Sequence, residues 1–138
     1  MVSPRSLNKE QSDTIVESWR KFSGRKVRVL SYQFDVESAY LGKHLESCLI
    51  AAGIKVSDGI TGLAPASGFV VGIHVDGKDE DLVRSIIVEL TQTGKLLVIR
   101  NSKAFERTTG FWSGVASMPM DEFDASIVVG SKPIQQIK

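Results

Sequence analysis

The sequence predicts an α/β fold, a flavodoxin-like three-layer sandwich of about five mostly parallel strands with an extra N-terminal helix. Three observations predict it. Short β-branched runs alternate with longer segments of helical period in the order α-β-α-β-β-α-β-β. Cap signals punctuate the helical segments, with Asn8 at one start and Gly24, Gly53 and Gly94 at three ends. Two runs, Phe69 to Val75 and Lys95 to Ile99, are almost wholly apolar, the pattern of strands covered on both faces.

The first element opens at Asn8, with Gln11 placed three residues on as in a capping box. Ile15, Trp19 and Phe22 recur at helical spacing and predict a helix over 9–23 that lays an apolar stripe on the rest of the chain. Residues 1–24 are therefore read as an amphipathic helix packed on a single α/β domain of residues 25–138. Lys26 to Tyr32 is short and β-branched, a strand, and Asp35 is placed to cap the helix that follows. On that helix Leu41, Leu45, Cys48, Leu49 and Ala52 form one apolar face. Ile54 to Val56 reads as a weak strand suited to a sheet edge. The Gly- and Pro-punctuated stretch from Ser57 to Gly68 reads as loop.

After the strand at Phe69 to Val75, a turn at Asp76-Gly77 leads into a helix carrying Leu82, Val83, Ile86, Ile87 and Leu90 at a period of 3.6. Lys95 to Ile99 is the fourth strand and Ala125 to Gly130 the last. Between them, residues 100–123 show no clean periodicity, and loops of that length usually carry function. Two topologies fit. The order 2-1-3-4-5 puts the weak second strand at an edge and the apolar third and fourth inside. A ferredoxin-like split βαβ instead explains why no helix joins strands two and three, since an antiparallel link needs none. The first is favoured by the apolarity of the inner strands.

Composition limits the function classes. The chain has 138 residues, 42% of them apolar, enough for a core without staples. A single cysteine, Cys48, excludes an internal disulfide framework and a multi-cysteine metal site, so a reducing, cytoplasmic setting is expected. No run approaches the roughly 20 apolar residues of a membrane span, so no membrane insertion by this segment is expected. A membrane-linked parent chain would still be consistent with this. Formal charge is +1. Residues 1–28 carry seven basic and three acidic groups and residues 29–94 four and nine, so no dominant basic field marks a nucleic-acid binder. The cluster Arg20, Lys21, Arg25, Lys26 and Arg28 reads as a solvated helix end and strand entry.

In an open α/β sheet, ligands sit beyond the C-terminal strand tips near the switch in strand order. In the favoured topology that is Ser31, Tyr32, Gln33 and Asp35, with Asp76 and Gly77 of the third strand's turn beside them. Helix N-termini there suit a small anionic or nucleotide ligand. The first turn has no glycine, so it is neither a P-loop nor a dinucleotide fingerprint. The stretch 57–68 lacks basic residues, so a phosphate cradle there would rest on backbone N–H groups alone. His44 sits at the edge of a helical apolar face and His74 within a strand, and neither has a paired ligand at metal spacing; no metal site is expected. Cys48 on its apolar stripe reads as a buried thiol. Phe111, Trp112, Met118 and Met120, with Phe105 and Phe123 around them, either present a partner-binding surface or fold back over the sheet.

Two resemblances add expectations. The run from Val27 through Ser31-Tyr32, Asp35, Leu41 and Leu45 to Ala52-Gly53-Ile54 resembles the start of a TIR domain. That family includes signalling scaffolds and NAD-cleaving enzymes; its enzymes place a glutamate on a helix after a later strand, a position this chain does not match, since Glu89 lies deep in its helix near the C-terminal end. Arg5-x-Leu7, Gln11, Phe22-x-Gly24, Val27-x-Val29 and Val128-Val-Gly130-Ser-Lys-Pro133 are similar to an uncharacterised bacterial α/β domain that often follows transmembrane or coiled-coil helices. This second resemblance implies a sensory or assembly context. The expected function is thus a non-enzymatic sensory or assembly module binding a small ligand or a protein partner, a second copy of the chain included. A TIR-like nucleotide-processing enzyme is the alternative. No cofactor is assigned.

Overall fold

The computed structural model describes residues 5–31, 36–58, 72–100 and 123–130. The N-terminal helix α1 (Lys9–Trp19) starts on the expected capping box: the Asn8 side chain accepts the Gln11 N–H at 2.7 Å, and the Gln11 side chain accepts the Asn8 N–H at 2.9 Å. A single 3₁₀ turn, Arg20–Phe22, follows, and Gly24 takes φ +93°, the left-handed exit that its missing side chain allows. Ile15, Trp19 and Phe22 are buried together, so this helix is a structural member of the core.

Strand β1 (Lys26–Ser31) leads to α2 (Val36–Ala51), β2 (Lys55–Asp58), β3 (Ile73–Asp76), α3 (Glu80–Val88), β4 (Val98–Arg100) and β5 (Ala125–Val129). The expected class is observed: the described residues form a mixed α/β fold with a five-stranded, mostly parallel sheet and three helices, consistent with a flavodoxin-like sandwich. The strand order differs from 2-1-3-4-5. It is β2-β1-β5-β3-β4, with β1 parallel to both β2 and β5, β3 parallel to β4, and β3 antiparallel to β5. The last strand is therefore the centre of the sheet, buried at all five positions. The fourth, expected inside, is an edge, with Ile99 exposed on it and Leu97 exposed just ahead of it. β2 and β3 run in opposite directions, so the link between them needs no crossover helix, the reason first attached to the rival topology.

Two parallel units, β1-α2-β2 and β3-α3-β4, thus sit head to tail on either side of β5. Right-handed crossovers in two units of opposite direction, stepping toward opposite edges, put both helices on the same face of the sheet. The packing agrees. Val27, Val29, Ile73, Val75, Ala125, Ile127 and Val129 share one core cluster with Leu45 and Leu49 of α2, Leu82 and Ile86 of α3, and Ile15 and Trp19 of α1. Helix α1 lies against α2 and against the segment that ends α3, closing the seam between them. Gln11 donates to the Thr93 carbonyl at 2.9 Å, and the Ser12 hydroxyl lies 3.0 Å from His44 Nε2.

Two local readings are corrected. The third helix runs into a π-helical turn, Glu89–Thr93, and the left-handed residue after it is Lys95 at φ +57°, whereas Gly94 has a right-handed φ. Gly94 is needed for space, since a Cβ there would sit 2.8 Å from the Leu90 carbonyl oxygen. This longer exit delays β4 to Val98, where apolarity alone places its start at Lys95. Arg28 is not solvated with the rest of its basic cluster. It is 2% exposed on the sheet face opposite the helices, with its guanidinium 5.2 Å from the Phe123 ring centre. Strand β1 is covered on both faces, so its alternate residues are buried whatever their polarity.

Candidate functional site

The antiparallel β3 separates what the sequence grouped. Ser31 shares a rung with Val129 and, across it, with Ile73, whereas Asp76 pairs with Ser126. Three residues of strand, about 10 Å, lie between those rungs. The C-terminal end of β1 at Ser31 and the turn at Asp76-Gly77 therefore stand at opposite ends of the sheet, not beside one another. Tyr32, Gln33 and Asp35 lie outside the described residues, as do Phe111, Trp112, Met118 and Met120.

The β1 end gathers the C-terminal tips of β1, β2 and β5. Its centre is Arg5, which the chain ahead of α1 carries over the tip of β5. Arg5 Nε and Nη2 donate to the two carboxylate oxygens of Glu37 at 2.9 and 2.6 Å, and Nη2 also donates to the Gly130 carbonyl at 2.6 Å. The backbone N–H of Arg5 adds a further bond to Glu37 at 2.8 Å. Both side chains are largely buried, 9% and 16% exposed, so this fork-on-fork pair is shielded from solvent. Glu37 lies in the first turn of α2, where a carboxylate also favours the helix dipole. Arg5 Nη1 is buried and has no hydrogen-bond partner among the described residues. Beside the pair, Val36 and Tyr40 are 81% and 80% exposed, one helical turn apart on α2. Arg5, Val36, Glu37 and Tyr40 line a recess of about 460 Å³. Ser31 contributes no open hydroxyl to it: its side chain is fully buried beneath α2 opposite Gly42.

The β3 end gathers the tips of β3 and β4 with the starts of β1 and β5. Arg100 donates to Asp76 at 3.1 Å and, through both terminal nitrogens, to Glu80 at 2.7 and 2.6 Å. Asp79 caps α3 by accepting the Leu82 N–H at 3.1 Å, and its other oxygen accepts Arg25 Nε at 2.8 Å. The Arg25 guanidinium, with the Leu82 amide, holds the Asp79 carboxyl below its ordinary value of 3.8. Arg100 does the same for Glu80. Gly77 lies against the Asp124 carbonyl and Ala125, so closely that no side chain fits there. The Asp124 N–H donates to the Lys26 carbonyl at 2.8 Å, and its own carbonyl accepts the Asp79 N–H at 3.1 Å. Asp76, Asp79 and Glu80 are each engaged by a guanidinium, an arrangement that fixes the turn.

The remaining candidates have structural environments. The Cys48 thiol is buried on α2, and burial pushes its pKa up, against a hydrogen bond from Ser12 that lowers it. His74 is buried on the sheet face opposite the helices. Glu89 sits where α3 passes into its π turn and accepts from the Thr93 hydroxyl at 2.9 Å. Among the described residues no three His, Cys, Asp or Glu side chains converge to hold a metal ion.

Sequence reasoning missed Arg5, Glu37 and Tyr40 as site residues. Arg5 and Glu37 are 32 positions apart, and only an acidic residue in a helix's first turn hinted at either. Compared with protein-family models, with curated proteins and with solved structures, the chain has no match in any of the three.

Proposed function

We propose that the domain is a non-enzymatic sensory or assembly module that takes a small ligand or a protein partner at the β1 end of its sheet. The observation that carries this reading is the exposed Val36–Tyr40 pair flanking the shielded Arg5–Glu37 clasp. Apolar side chains left open beside a few fixed polar groups are the usual make-up of a binding recess. The site lies past the C-terminal tips of parallel strands, where ligands of open α/β sheets are held. None of the described helices is long and apolar enough to cross a membrane.

The test is a fragment screen read by amide chemical shifts, run beside light scattering. Shifts centred on residues 36–40, or a dimer that weakens on Tyr40→Ala, support the reading. A strict monomer with no perturbation at those amides overturns it. The alternative, TIR-like NAD cleavage, draws on the strand–helix–strand opening β1-α2-β2 and is checked by incubating the pure protein with NAD.

A further inference from the structure

Resting on the protein-partner reading above, we infer that the partner is a second copy of this chain, which docks its own α2 antiparallel on the outer face of α2. The inner face of that helix is spoken for, since Leu41, Leu45, Cys48 and Leu49 lie in the core. Its outer side is apolar as well. Val36, Tyr40 and Ile50 are 81%, 80% and 61% exposed. With the exposed Lys43 and Ser47 they follow one another at steps of four, three, four and three residues. That alternation keeps one seam of a helix against another helix along its length. The other two helices turn charge outward instead, Lys9, Asp13 and Glu17 on α1 and Asp81 and Arg84 on α3. A helix apolar on opposite sides is normally covered on both.

Self-complementarity selects a second copy. Turned end for end about an axis at the level of Leu45, the stripe matches itself: Tyr40 meets Ile50 of the second copy, and Lys43 meets its Ser47. Large apolar groups then pack at both ends of the seam. In the middle, the Lys43 stem lies over a small residue whose hydroxyl already donates to the Lys43 carbonyl at 3.1 Å. The Lys43 ammonium has the Glu46 carboxylate 3.9 Å away, so the seam closes over no lone charge. Charge selects the direction. Helix α2 has Glu37 in its first turn and no basic residue in its last, which leaves its negative C-terminal end without a cation on the helix. An antiparallel copy lays its positive N-terminal end there, whereas a parallel copy sets like ends together. The three apolar side chains offer on the order of 400 Å² per copy, so with flanking atoms the pair buries about 1,000 Å², the size of a weak, reversible dimer.

Sedimentation velocity on the full chain, from about 5 to about 500 µM, reads the dimer. Expected is a monomer–dimer equilibrium with a dissociation constant on the order of 100 µM, with concentration-dependent amide shifts along residues 40–51. Tyr40→Lys and Ile50→Glu, both at solvent-facing positions, should each weaken the dimer at least tenfold and leave the urea midpoint unchanged. Mixed in equal amounts, the two variants should associate again. One layer then sets the introduced ammonium against the introduced carboxylate, and the other keeps the native Tyr40–Ile50 contact. A strict monomer across that range overturns the inference and leaves the stripe to another protein's helix or, where the fragment screen gives shifts, to a small ligand. A dimer indifferent to both substitutions overturns it too, because the contact then lies elsewhere on the chain. Variants that dissociate singly and fail to recover on mixing overturn the antiparallel pairing.

Discussion

The two ends of the sheet carry the same device in different surroundings. At each, a helix that follows a strand has a glutamate in its first turn, Glu37 in α2 and Glu80 in α3, gripped by two nitrogens of an arginine. At the β1 end the pair is shielded, 9% and 16% exposed, and has open apolar side chains beside it. At the β3 end the pair is 41% and 59% exposed, within a mesh of further ion pairs and backbone bonds. The same residue types therefore act as a latch in one place and as one wall of a recess in the other. What separates them is desolvation and neighbours.

Substitutions can break that comparison, beginning with the largest expected effect. Gly77→Ala should destabilise by about 3 kcal/mol, because a methyl group there meets the Asp124 backbone and one of the two must move. Urea unfolding measures it. Arg5→Ala should cost about 2 kcal/mol in the same assay, removing a shielded bidentate pair together with the tie to Gly130. Arg100→Ala, the matching change at the exposed end, should cost several-fold less and lose most of its effect in 1 M salt. Equal costs for the two arginines would mean that burial does not distinguish the ends.

Acid should weaken the β3 end in a defined window. Asp79 and Glu80 have folded pKa values held below their ordinary 3.8 and 4.5, so the folded state binds fewer protons than the unfolded chain. The stability they contribute is complete above those ordinary values and is lost as pH falls through the lower folded ones. Urea midpoints compared at pH 7 and pH 3 should show this loss, reduced in Asp79→Asn. The smallest effect belongs to Tyr40→Ala. It should change stability by no more than about 0.5 kcal/mol, since the ring is almost fully in solvent, whereas binding at the β1 end should suffer.

Much of the fold was legible because its signals are local. The capping box at Asn8 and Gln11, the left-handed Gly24 and Gly53, and the buried stripe of Ile15, Trp19 and Phe22 each depend on residues within a few positions of one another. The exit from α3 failed for a reason equally local but unmarked. A π turn adds a residue that no apolar period announces, and Lys95 takes the left-handed conformation that Gly94 next to it was expected to supply. The site was legible only as a rule about strand tips. Its residues come from the chain ahead of α1 and from α2, and no spacing in the sequence links Arg5 to Glu37.

By itself, then, the sequence determined that this is an α/β chain, where most helices and strands lie, and that β2 is an edge. Only the tertiary structure decided that β5 takes the centre, that β3 runs against it, and that Ser31 and Asp76 part to opposite ends. The physical reason is range. Caps and periodicity are paid for within one turn or one pleat, whereas pairing Val75 with Ile127 depends on burying surfaces more than 50 residues apart, which no local pattern encodes.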